Sequence, residues 1–292
     1  MAKRVKYLAR GVFFLILIIF TVVIFRNLRA SNMVDIKVDI GGNIVETAKS
    51  SGVTRFSTRN IAGLISYSVD SLPDNIPITY TRHGYEGSFG PLFALTMYAD
   101  HEHNNNLAVT DLVLQYSTDL IKEHKSGQAL IESINTKFRG KKWVRHIPDY
   151  CPRVTGRSNF IAIDGQITIF EACPLDPEYH LSAEEWRALV VDGLSYEWVG
   201  GGVIATLLVR APEDSRGITY DVSLEYADQN IKIKRDAKNQ AEKLADGDKQ
   251  GWNSTAKYKA GMIRVQEKIK VLEANAIKRG DSLVTTKFSL LQ

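Results

Sequence analysis

Asp100-His101-Glu102-His103-Asn104 gathers several potential metal ligands into one short stretch, directly after a predicted strand. Loops at the ends of strands often carry function. Were the strand to continue, His101 and His103 would point to the same side and share a Zn²⁺ or similar ion, with His83 or His146 as a further ligand. No third ligand lies at a diagnostic spacing, however, and a polar turn running into Asn104-Asn105-Asn106 reads equally well as an ordinary loop. A second candidate is Cys151-Pro-Arg-Val-Thr-Gly-Arg-Ser158, where Arg153 and Arg157 could grip a phosphate or carboxylate. Glu184, Glu185 and Glu197 are the candidate carboxylates, but Ser182-Ala-Glu-Glu185 has the form of a helix capping box, which already accounts for Glu185. Gly200-Gly201-Gly202 would suit either an anion-binding nest or a turn between strands.

Motifs that announce an enzyme are missing from the sequence. It has no G-x-S-x-G elbow, P-loop, H-E-x-x-H, C-x-x-C or G-x-G-x-x-G. No cofactor is expected. Two cysteines, Cys151 and Cys173, flank Asn159–Phe170, where an Asp164-Gly165 turn separates two β-prone runs. A hairpin there would draw the two thiols together, and one disulfide is the expectation.

The elements that must position these residues alternate between two periods. Met33–Ile40 places Val34, Ile36, Val38 and Ile40 on one side of a strand, and Ile61–Val69, Ile76–Arg82 and Leu92–Ala99 read as further strands. Thr110 then opens a predicted helix with Val113, Tyr116 and Leu120 on one face and Gly127 as its stop. Leu130, Ile131, Ile134 and Phe138 mark a second helix, and Lys142–Ile147 a strand. A short helix containing Trp186 and Leu189 is followed by strands at Leu194–Trp198, Val203–Arg210 and Ile218–Tyr226. From Ser254 to Arg279, Tyr258, Met262, Val265, Ile269, Leu272 and Ala276 recur at heptad spacing, with a polar, Lys-rich stretch before them. Residues 229–280 therefore predict a helical hairpin. Val265, Ile269 and Leu272 would serve either a partner or internal packing. A last strand is expected at Leu283–Leu291.

Gly11–Phe25 is an uncharged apolar run preceded by Lys3, Arg4, Lys6 and Arg10, with no acid before Asp35. That pattern predicts a transmembrane signal-anchor with its N-terminus inside, an assignment to residues 1–30, and an exported domain over residues 31–292. A sub-boundary near residue 145 is possible in composition but not required by it. The chain has 37 Lys+Arg and 33 Asp+Glu; six of the bases and none of the acids fall in the first thirty residues. The remainder holds 31 bases against 33 acids, so no nucleic-acid partner is expected.

The fold class expected is α+β: a mixed or antiparallel sheet behind one transmembrane helix, ending in the helical hairpin. The function expected is that of a single-pass protein of a bacterial inner membrane, its C-terminal domain in the periplasm. That domain would bind protein without catalysis, as an immunity protein inhibiting an envelope-targeted toxin. A structural subunit of an envelope or secretion complex is the alternative, and a metal-dependent periplasmic hydrolase using His101 and His103 the third.

Overall fold

In a computed structural model, residues 36–284 are described, apart from residues 52, 54, 55, 73–75, 102–105 and 216. The strands in chain order are β1 (Ile36–Val38), β2 (Ser57–Ile61), β3 (Leu64–Val69), β4 (Ile78–Tyr80), β5 (Gly87–Phe89), β6 (Leu92–Asp100) and β7 (Asp111–Tyr116). After them come β8 (Val144–Arg145), β9 (Leu194–Gly200), β10 (Val203–Arg210), β11 (Glu213–Asp214), β12 (Gly217–Ile218) and β13 (Asp221–Asp228). The α-helices are α1 (Ile44–Ser50), α2 (His124–Phe138), α3 (Ala183–Val190), α4 (Gln229–Lys249) and α5 (Ser254–Arg279).

Period-two alternation builds the centre of the fold. Eight strands pair in the order β2-β3-β6-β7-β13-β10-β9-β8, every neighbour antiparallel. Leu112 and Leu114 of β7 lie across from Tyr226 and Leu224 of β13, which lie across from Ala205 and Leu207 of β10, while Tyr116 of β7 lies across from Leu92 of β6. All are buried, and together they make the inner face of the sheet. The small sheet β1-β4-β5, α2 and α3 cover that face. Tyr80 of β4 stacks on Tyr226 at 4.3 Å between ring centroids, and Phe138 at the end of α2 stacks on Trp198 of β9 at 4.0 Å. Fully burying such a side chain contributes roughly 1.5–3 kcal/mol, so this aromatic layer is a principal part of the core.

The fold is α+β, with a large antiparallel sheet and C-terminal helices, as the patterning predicts. Three expected elements differ. Asp111–Tyr116 is a strand, because the alternation of Leu112, Leu114 and Tyr116 meets waiting partners on both sides and outweighs the helical spacing of Val113, Tyr116 and Leu120. Ile61–Val69 is not one strand: Ile61 ends β2, Ala62-Gly63 turns the chain with both residues at positive φ, and Leu64–Val69 returns as β3. Asn159–Phe170 does turn at Asp164-Gly165, but only Ile161 and Ile167 form a bridge, and a 3-10 turn occupies Gly156–Phe160.

Gly127 does not end a helix but sits inside α2, buried. The hairpin of α4 and α5 is joined at residues 250–253, where Gly247 lets Ser254 pack against the helix: a Cβ there would lie 2.0 Å from the Ser254 hydroxyl oxygen. Among the described residues no helix is long and apolar enough to cross a membrane. The apolar run Gly11–Phe25 lies outside the described residues, as does the expected strand beyond Val284.

Candidate functional site

The outer face of the large sheet carries polar residues in register. Thr96, Val113, Glu225, Thr206 and Glu197 stand side by side across β6, β7, β13, β10 and β9. His146 extends the row by one strand: its amide donates to the Glu197 carbonyl, and its Nδ1 lies 2.7 Å from Glu197 Oε2. Helix α4 starts where β13 ends, capped by the Asp228 side chain on the Ile231 amide, and so crosses this face. Between the helix and the row lies a groove of about 440 Å³, with Tyr98, Asp111, Glu197, Thr206, Glu225, Lys232 and Arg235 in its lining.

Its electrostatics are tightly specified. Arg235 donates from both Nη1 and Nη2 to Asp111, at 2.9 and 2.7 Å, a bidentate pair that ties α4 to the sheet. Lys232 lies 3.0 Å from Asp236, one helical turn on. Burial pushes the Glu225 carboxyl above its ordinary value, and the nearby Asp111 charge pushes the same way; Lys232 and the Ser223 hydroxyl pull it partly back. Burial pushes the Tyr150 hydroxyl above its ordinary value, and the charges of Glu197 and Asp236 push the same way. His146 is buried, and its Nε2 has no hydrogen-bond partner among the described residues.

The expected site residues are distributed differently. Cys151 and Cys173 form a disulfide, with Cα atoms 5.7 Å apart at a sequence separation of 22. Arg157 is engaged internally: its Nε donates to Glu185 Oε1 at 2.6 Å, so the loop grips the cap of α3. The Arg153 amide donates to Glu273 of α5, and its guanidinium lies 3.7 Å from Asp149. Glu185 is drawn both ways: burial works to raise it, but the Ser182 amide and hydroxyl together with Arg157 outweigh that and hold it below the usual carboxylate range. The heptad stripe is buried in its C-terminal half, with Ile269 and Leu272 inside and Val265 half-exposed. Gly201-Gly202 is a two-residue hairpin turn, both residues at positive φ, and Arg82 donates to the Gly201 carbonyl.

His101 is exposed at the end of β6, its amide donating to the Gly63 carbonyl. His103 lies outside the described residues. His146, a candidate further ligand in sequence, is paired with Glu197 instead. Among the described residues no group of three or more His, Cys, Asp or Glu side chains could hold a metal ion. The groove itself was only partly visible in sequence: Glu197 and His146 are 51 residues apart, and their pairing follows from the β8–β9 register, which no local motif encodes.

No family model, no curated protein and no solved structure matches the chain.

Proposed function

We propose that the chain is a single-pass, inner-membrane-anchored protein whose C-terminal domain lies in the periplasm and binds another protein without catalysis, as an immunity protein that inhibits an envelope-targeted toxin. The observation that carries the binding reading is the groove over the outer face of the sheet, where charged side chains are held in fixed positions by α4 on one side and strand register on the other. Such preorganisation lowers the ordering cost of association. Export is supported by the disulfide, since exported proteins keep such bonds and cytosolic thiols stay reduced. It is also supported by the basic-then-apolar pattern of residues 3–25.

A second reading, a structural subunit of an envelope or secretion complex, is favoured by the helical hairpin, where Trp252, Ile263 and Ile277 are each more than half exposed. Affinity capture from an envelope extract, with the tagged, oxidised full-length protein as bait, separates the two. One dominant soluble enzyme in the eluate supports the inhibitor. A set of membrane subunits, lost on Ile263→Asp substitution, supports the structural role. An eluate without either contradicts both.

A further inference from the structure

The two cations that line the groove are already committed, Arg235 to Asp111 by two hydrogen bonds and Lys232 to Asp236 at 3.0 Å. Across its floor, Glu225 and Glu197 sit on one register row with Thr206 between them. Two strand spacings separate their backbones by roughly 10 Å. His146 adds to this row. Its Nδ1 faces a carboxylate that accepts only, so in the neutral ring Nδ1 carries the proton. Acceptors thus dominate the open floor: two carboxylates and a hydroxyl oxygen.

Groups that donate and carry positive charge match such a floor, and among protein side chains the guanidinium of arginine and the ammonium of lysine do both and accept nothing. We propose that the groove receives a cationic side chain of the protein partner, arginine or lysine, seated between Glu225 and Glu197 over Thr206. This rests on the binding reading above and names the chemistry of the partner's contact. Charge complementarity selects this occupant: three carboxylates line the groove against two cations, and a further cation balances it. An anionic group would meet Glu225 and Glu197 without a free counter-charge. A seated cation would also favour the ionised form of Glu225, which burial now disfavours.

The test uses the oxidised full-length protein in detergent, with glutamate labelled at the side-chain carboxyl carbon. N-acetyl-argininamide is titrated against it, and N-acetyl-citrullinamide, the neutral isostere, is the control. The proposal expects saturable shifts of the Glu197 and Glu225 carboxyl signals with the arginine probe, weakened at least tenfold by Glu225→Gln and by high salt, and absent with the citrulline probe. Equal response to both probes, or binding unchanged by Glu225→Gln and Glu197→Gln, overturns it. Failure of the two ideas is distinguishable. A partner captured equally by the wild type and the double Gln variant overturns the cation site and leaves the binding function in place. Arginine-probe binding in a protein that captures no partner supports the site and overturns the function.

Discussion

Glu185 and Glu225 are carboxylates displaced in opposite directions, and each makes a distinct prediction. The Glu185 carboxyl is lowered in the folded state, so it contributes stability above its unfolded value and loses it as pH falls through the folded one. Glu185→Gln should therefore destabilise the protein at neutral pH by roughly 1–2 kcal/mol, with Arg157 more than half exposed and its share discounted. That gap should narrow as pH falls through the folded-state value, where the wild-type carboxyl becomes protonated, as urea unfolding at neutral and acid pH would show. The Glu225 carboxyl is raised, so its ionisation costs the folded state stability as pH climbs past the unfolded value. Glu225→Gln should match the wild type in acid and melt higher at neutral pH; equal melting temperatures throughout would contradict the raised value. At this scale the sequence was legible where partners are close neighbours. The Ser182–Glu185 capping box is present with both of its hydrogen bonds. His146 and Glu197 were each visible as candidates but not as a pair, because register joins them.

Between elements, packing overrules local preference in two instructive places. Val113, Tyr116 and Leu120 follow helical spacing, yet β7 is a strand held between β6 and β13, and Leu120 is left almost fully exposed. Helix propensity in a short window is a weak prior against two complete hydrogen-bonded ladders. Gly127 reads as a stop but lies within α2, at a position that close packing reserves for glycine, since a Cβ there would meet the Tyr220 ring at 2.1 Å. Gly261 in α5 has nothing within 4 Å of the same position. Opposite outcomes follow for one substitution. Gly261→Ala should stabilise the protein by about 1 kcal/mol through helix propensity. Gly127→Ala should destabilise it despite the same propensity gain, since Tyr220 also holds the indole of Trp186 and the ring of His124. Thermal melts of the two variants decide this, and a stabilised Gly127→Ala would contradict the packing reading. The capping box, β10 and α5 were legible nearly to the residue because their signals are local; the asymmetric order of the sheet was not, since β7 pairs with β13 across more than a hundred residues.

For the whole molecule, one covalent link fastens an irregular region that the sheet does not hold. Residues 146–181 contain little regular structure, only short 3-10 turns at Gly156–Phe160 and Phe170–Ala172, and the Cys151–Cys173 bond closes most of this segment. Closing a loop of that length contributes roughly 3 kcal/mol in the chain-entropy model. Reduction should lower stability by about that amount and expose the segment first, which amide exchange with and without reductant would report; identical exchange in both states would contradict it. The same region anchors α5, through Glu273 on the Arg153 amide and Asp281 on the Ser158 amide, so loosening it would also loosen the helical hairpin. Because α4 forms one wall of the groove, a reduced protein should bind its partner more weakly. The most direct test of the inhibitor reading is a titration of the captured enzyme's activity with the oxidised full-length protein. Complete loss of activity is expected at one equivalent, with the reduced protein requiring an excess. Full activity retained in the presence of saturating bound protein would contradict it.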